Sequence, residues 1–302
     1  MRADEARPGG RGRAVERTRA DADDAVDRRL RTLAEGCRAV FFAGLPGTGK
    51  SFFVHRLAAL AHAAGRPVHL LLWDVIRPVF EASPVGRRYP VRAGITHPVI
   101  RRAAGIWARR AVARWDAGHP AVAALIGESP LVGHRFIELA RSADDAAEPL
   151  LAGDACAFVV PVPSVEVRRF LEAERHRRSV QHRHDRERED AVPAVVQTLW
   201  GELVDVSRKL GIERPGGGGG SPAYDPALYE CVYRRVLARR HAYVLGVERV
   251  LPAPADSVYA FAFPTHDVTP TVEDADACIE AVETQYADRD VLDREIAGWY
   301  LV

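Results

Sequence analysis

The chain contains no asparagine, which excludes the Asn-Lys-x-Asp motif that reads guanine in GTPases and an asparagine sensor of ring-forming ATPases. Lysine is nearly absent too: Lys50 and Lys209 are the only two among 42 lysines and arginines. The four cysteines, Cys37, Cys156, Cys231 and Cys278, lie far apart without a C-x-x-C pair. That spacing argues against a disulfide framework or a zinc site and for reduced thiols packed in a core. No apolar stretch approaches the ~18 residues of a membrane span, and no apolar signal region opens the chain, so a soluble, cytoplasmic protein is expected. The formal net charge is +1, so no overall basic field draws nucleic acid to the molecule.

What is present is enough for one substantial core: 302 residues, 47% of them hydrophobic. Residues 1–20 are rich in arginine, glycine and alanine, with little to bury, and read as a disordered arm. Asp4, Glu5 and Glu16 speak against an arginine-rich targeting peptide there. The remainder, 21–302, reads as a single domain without internal repeats.

One octapeptide dominates. Gly44-Leu45-Pro46-Gly47-Thr48-Gly49-Lys50-Ser51 fits the G-x-x-x-x-G-K-[ST] phosphate-binding loop. The apolar run 39–43 precedes it and a segment of helical spacing, 52–60, follows it, so the glycines join a strand to a helix. Such a loop turns backbone N–H groups toward anionic oxygens at the positive end of a helix. Lys50 then reaches the β and γ phosphates, and Ser51 is placed to ligate Mg²⁺.

Apolar runs alternate with helical patterns along the rest of the chain, the signature of a parallel sheet covered by helices on both faces. Five strands are expected near 38–43, 68–73, 121–127, 156–162 and 258–263. Helices are expected near 51–64, 97–116, 131–141, 164–178, 191–211 and 272–298, with a further helical segment at 225–240. Pro215 and the glycine run 216–220 place a flexible loop at 214–222. The stripe Ile279, Val282, Tyr286, Leu292, Ile296 and Trp299 marks core packing for the last helix. The fold class is therefore a three-layer α/β/α domain with a mainly parallel five-stranded sheet and C-terminal helical additions.

Ligands of such sheets lie beyond the carboxyl ends of the strands. The second strand runs out at Asp74, with Arg77 one helical turn on, a pair suited to accept a proton from a substrate hydroxyl and to hold its anionic part. The third ends in Gly127-Glu128-Ser129-Pro130, where Glu128 is a candidate for the metal or the substrate, and Ser129 and Arg135 are weaker companions. After the fourth strand, arginines crowd positions 168–188, interleaved with glutamates. Most form a solvated charged face, but their position lets Arg175, Arg178 and Arg183 close over a nucleotide as a lid, about 168–190, and meet the charge on a transferring phosphoryl group. His182 and His184 lack the further ligands of a metal site.

This order of phosphate loop, Asp74 followed by Arg77 and Pro78, Gly127-Glu128 and arginine-rich segment resembles the P-loop kinases, within them the zeta-toxin-like and small-molecule kinase branch. The resemblance spans roughly 38–190. It implies that Asp74 is the base activating an acceptor hydroxyl and that Glu128 lies at the substrate; ATP with Mg²⁺ is the default phosphoryl donor, since nothing in the sequence reads the base. Acceptors in that group include UDP-sugars, nucleosides, sugars and antibiotics. The third strand departs from the family pattern, Glu before Gly-Thr, by carrying Gly127-Glu128-Ser129, so no single acceptor is read from it. The competing reading is a regulatory or mechanical ATPase in which Glu128 orients water. A third is a nucleotide-dependent partner protein without turnover.

Overall fold

The computed structural model describes residues 25–180, 182, 184–189, 192–212, 223–254 and 256–302. The expected N-terminal arm, the glycine-rich loop at 214–222, Arg183 and the side chain of Arg178 lie outside the described residues.

Six strands form one sheet: β1 (Ala39–Ala43), β2 (Val68–Leu71), β3 (Ala124–Ser129), β4 (Cys156–Pro163), β5 (Ala242–Val247) and β6 (Thr265–Asp267). Their spatial order is β5-β4-β1-β3-β2-β6, and every pairing is parallel. The chain is thus α/β with one strand more than expected. Strand alternation feeds two apolar clusters, one on each face. Ala39, Phe41 and Ala43 of β1 enter one cluster with Leu125, Phe158 and Val160, while Val40 and Phe42 enter the other with Ile126 and Val159. Both faces are buried, which is why these strands read as unbroken apolar runs.

The helices are α1 (residues 25–36), α2 (Lys50–Ala63), α3 (Trp73–Ala82), α4 (Pro98–Gly118), α5 (Ile137–Ala140), α6 (Glu148–Leu151), α7 (Val165–Val180), α8 (Pro193–Lys209), α9 (Pro226–Val236), α10 (Val272–Gln285) and α11 (Arg289–Ala297). Sequence spacing locates β1, β2, β4, α2, α4, α7 and α8 to within a few residues. The third strand starts and ends later than expected, so Glu128 and Ser129 lie inside β3. The helix expected at 131–141 is reduced to the single turn of α5, because Leu131 and Arg135 pair their backbones in a tight loop. The last helix divides in two at Tyr286, whose side chain remains buried as the stripe required.

The strand expected at 258–263 is not one. Its alternating aromatics lie over α2 instead: Phe261 stacks on His55 with ring centroids 5.1 Å apart, and Phe263 on His62 at 4.7 Å. The edge position is taken by β5, which pairs with β4 from Phe158 to Pro163. Pairing of β4 with β1 ends at Val159, so Pro161 and Pro163 fall where β4 has one neighbour and lacks only one ladder partner. All four cysteines are free thiols; Cys156 and Cys278 are buried, but Cys231 is exposed and Cys37 half-buried, against the expectation that all four are core residues.

Candidate functional site

The chain leaves β1 toward β2 on one side and β3 toward β4 on the other, so the crevice between the loops after β1 and β3 is the point where ligands of open α/β sheets bind. The glycine-rich loop 44–51 fills one side of it. Gly47 and Gly49 adopt left-handed backbone conformations, φ 77° and 88°, which open the turn into α2 at Lys50. Thr48 Oγ1 donates to the Leu45 carbonyl at 2.9 Å and Lys50 Nζ donates to the same oxygen at 2.9 Å, so the loop is closed on itself.

A cleft of about 280 Å³ lies in front of this loop. Its walls include Gly47, Gly49, Lys50 and Ser51, together with Asp74, Arg77, Glu128 and Arg175. Four side chains, from the ends of two strands and from α7, therefore line one cleft with this loop. Asp74 sits in the first turn of α3 and not on β2, since that helix starts at Trp73. Gly44 does not line the cleft; it supports the loop from below, where an added Cβ would overlap the hydroxyl of Tyr229.

The electrostatics tie the two acids to the lysine. Burial pushes Lys50 down to about 8, and the nearby carboxylates of Glu128 and Asp74 oppose that shift, while Arg175 and Arg168 reinforce it. Arg77 is anchored to Glu81 at 2.6 Å, and Glu81 accepts a further bond from Thr96 Oγ1 at 3.0 Å. Ser51 Oγ lies 3.3 Å from the Tyr259 hydroxyl.

Several residues of the site escaped sequence reasoning. Arg168, in the first turn of α7, is 2% exposed and lies beside Gly47, whose added Cβ would stand 3.6 Å from its guanidinium carbon. Its Nε donates to Glu172 at 2.6 Å, and its buried Nη1 has no hydrogen-bond partner. The arginine-rich segment thus contributes to the loop from its start as well as from Arg175, and Arg188 reaches the cleft from the short 3₁₀ turn Asp185–Glu189. Arg168 follows the carboxyl end of β4 by only five positions, a signal that the strand-end rule offered. Tyr229 and Tyr233 offered none: they are fully buried on α9, far along the chain, with Tyr233 donating to the Pro130 carbonyl at 2.9 Å. Burial holds both phenols neutral, well above the usual tyrosine range.

A second cavity of about 610 Å³ adjoins the first and shares Gly49, Phe52, Leu171 and Val258 with it. It is walled by Phe53, Phe170, Val250, Leu251 and Pro252, with Glu174, Arg177, Glu187, Arg249 and Asp256 among its polar positions.

Hard oxygen donors stand on the loop side of the first cleft: the Ser51 hydroxyl and the carboxylates of Glu128 and Asp74. That set fits Mg²⁺, which takes one or two carboxylates, water and phosphate oxygens. Among the described residues, no cluster of three or more His, Cys, Asp or Glu side chains is arranged to hold a metal without such a ligand. Also among the described residues, no helix is long and apolar enough to cross a membrane. The chain matches no protein-family model, no curated protein and no solved structure.

Proposed function

We propose that this chain is a P-loop kinase that transfers the γ-phosphoryl group of ATP to a hydroxyl of a small molecule. The observation that carries the reading is that Asp74 and Glu128, from different strand ends, share one cleft with Lys50 and Ser51. An ATPase needs one acid to orient water, whereas phosphoryl transfer to an alcohol uses a second one to take the proton. The adjoining cavity, with apolar and aromatic walls, charged side chains among its lining and a volume in the range of small-molecule sites, suits the nucleoside end of the donor.

In this mechanism the loop amides and Lys50 grip the β and γ phosphates, with Lys50 released from the Leu45 carbonyl to do so. Asp74 accepts the proton of the acceptor hydroxyl as its oxygen bonds to the γ phosphorus. The bond from that phosphorus to the bridging β oxygen breaks, and ADP and a phosphomonoester leave. Arg175 and Arg168 meet the negative charge spread over the transferring group, with Arg178 of the expected lid in the same role. Arg77 positions the acceptor. Mg²⁺, held by Ser51 and Glu128, would neutralise charge on the β and γ oxygens.

The deciding experiment is ADP release by the purified protein with Mg-ATP, with and without pooled UDP-sugars, nucleosides, sugars and aminoglycosides, beside Lys50→Ala and Asp74→Asn. Acceptor-dependent release, lost in both variants by at least ~10²-fold, is expected. Acceptor-independent hydrolysis that survives Asp74→Asn would replace the kinase by a regulatory ATPase.

A further inference from the structure

We infer that the acceptor carries an anionic group, a phosphate or a carboxylate, and that the buried guanidinium of Arg135 binds it; this rests on the kinase reading of the same cleft. Arg135 is 7% exposed and lines the cleft beyond Asp74. Its side chain makes one hydrogen bond, Nη1 to the Val132 carbonyl at 2.8 Å, and forms no ion pair among the described residues. A buried guanidinium with donors to spare and no carboxylate in contact is costly unless a ligand supplies the charge.

Nearby acids do not fill that role. Arg77 is engaged by Glu81 at 2.6 Å. Arg101 shares the neighbourhood, donating through Nη1 to the Gly133 carbonyl with its Nε unpartnered, and burial beside Arg135 brings it down to about 10. Arg101, Arg135 and Glu202 converge on Gly133: an added Cβ there would stand 3.0, 2.7 and 3.4 Å from them. Glu202, already accepting from Trp299 Nε1 at 3.0 Å, lies near both arginines, and neither donates a hydrogen bond to it among the described residues. Asp74 lines the same cleft as Lys50 and Arg135, and its carboxylate favours the charge on each.

The loop that presents Arg135 is built at the expense of backbone comfort. Leu131, His134 and Phe136 are non-glycine residues in left-handed conformations, φ 64°, 64° and 59°. It is held there by paired backbone bonds between Leu131 and Arg135, by Tyr233 on Pro130 and by the buried contact of His134 with Glu138 at 2.7 Å. The lining of the cleft also includes the apolar side chains of Trp73, Val132, Val195 and Leu199, and an ion pair made beside such groups is screened less than one in open water. The acceptor that fits has its hydroxyl at Asp74 and its anion at Arg135.

Calorimetric titration with two matched pairs tests this: ribose 5-phosphate against ribose, and gluconate against glucose. Each is run on the wild type, Arg135→Gln, Arg135→Lys and Lys50→Ala. At least one charged probe should bind the wild type and Lys50→Ala alike, more tightly than its neutral partner. In Arg135→Gln it should bind roughly 10- to 100-fold more weakly, with partial recovery in Arg135→Lys. Which pair responds separates phosphate from carboxylate. Three results overturn the inference: charged probes binding no better than neutral ones, binding unchanged in Arg135→Gln, or binding lost in Lys50→Ala and kept in Arg135→Gln, which assigns the anion to the phosphate loop. Should Arg135→Gln fail to fold, the wild-type pairs and Arg135→Lys decide. ADP release recorded alongside keeps the two ideas apart: anion binding at Arg135 without stimulated release sinks the kinase and leaves an anion-binding residue.

Discussion

At the scale of single residues, Lys50 carries the sharpest consequence. It is buried, its ammonium rests on a carbonyl, and desolvation brings it down to about 8, so near that pH half the ligand-free molecules lack the charge that a phosphate needs. An anionic ligand favours the protonated form, and binding above pH ~8 must therefore take up a proton. Affinity for Mg-ATP should be level below about pH 7.5 and fall roughly tenfold per unit well above pH 8. Calorimetry across that range checks it, and Lys50→Ala should bind weakly with no such slope; an unchanged slope in the variant would place the proton elsewhere. Lysine scarcity made this residue legible, because the whole loop is one contiguous pattern whose geometry is local. Asp74, Arg77 and Glu128 were legible by a weaker rule, their place at strand ends. Arg135 stood out only as a weaker companion of Glu128, and Arg168 only as one of a crowded run, because whether an arginine is buried depends on elements distant in sequence.

Among elements, the β2–β6 pairing at the sheet edge contains a histidine cluster. His69 faces His266 in register, with ring centroids 5.2 Å apart, and meets His119 of the α4 C-terminus at 4.3 Å. Burial and the two neighbouring imidazoles hold His69 down to about 4. The unfolded chain therefore binds a proton there that the folded one refuses, and the stability His69 contributes is complete above about pH 6.5 and lost as the pH falls toward 4. Urea unfolding at about pH 7 and pH 5 should show a drop for the wild type that His69→Gln reduces, since Gln does not titrate. Equal drops in both would mean that His69 plays no part. This edge was hidden in the sequence: β6 has three residues, too few for a period, while 258–263 carries a convincing alternation because its aromatics cover α2. Alternation reports two different faces, and only tertiary structure says that one of them belongs to a helix.

For the whole molecule, the C-terminal third is not an appendage to the core that carries the loop 44–51 but its foundation. Tyr229 lies under Gly44, Tyr233 holds Pro130, and β5 and β6 close the two sheet edges, so the region that no motif explained is what fixes the site. The two halves are also joined away from the cleft by one carboxylate. Glu148 of α6 accepts from Arg109 of α4 at 2.5 Å and from Arg240, just before β5, at 2.8 and 3.0 Å. Arg240 has a fully buried side chain and further donates to the Leu139 carbonyl at 2.9 Å. Glu148→Gln leaves two guanidinium groups in the interior with one shared counter-charge removed, a loss of about 3 kcal/mol on the scale of broken buried pairs. Thermal unfolding should then begin roughly 6–12 °C lower. Nucleotide binding below that temperature should stay unchanged, because Glu148 touches neither the phosphate loop nor the cleft. A variant that melts like the wild type would show that Asp145, bonded to Arg109 at 2.5 and 3.0 Å, supplies the compensation alone.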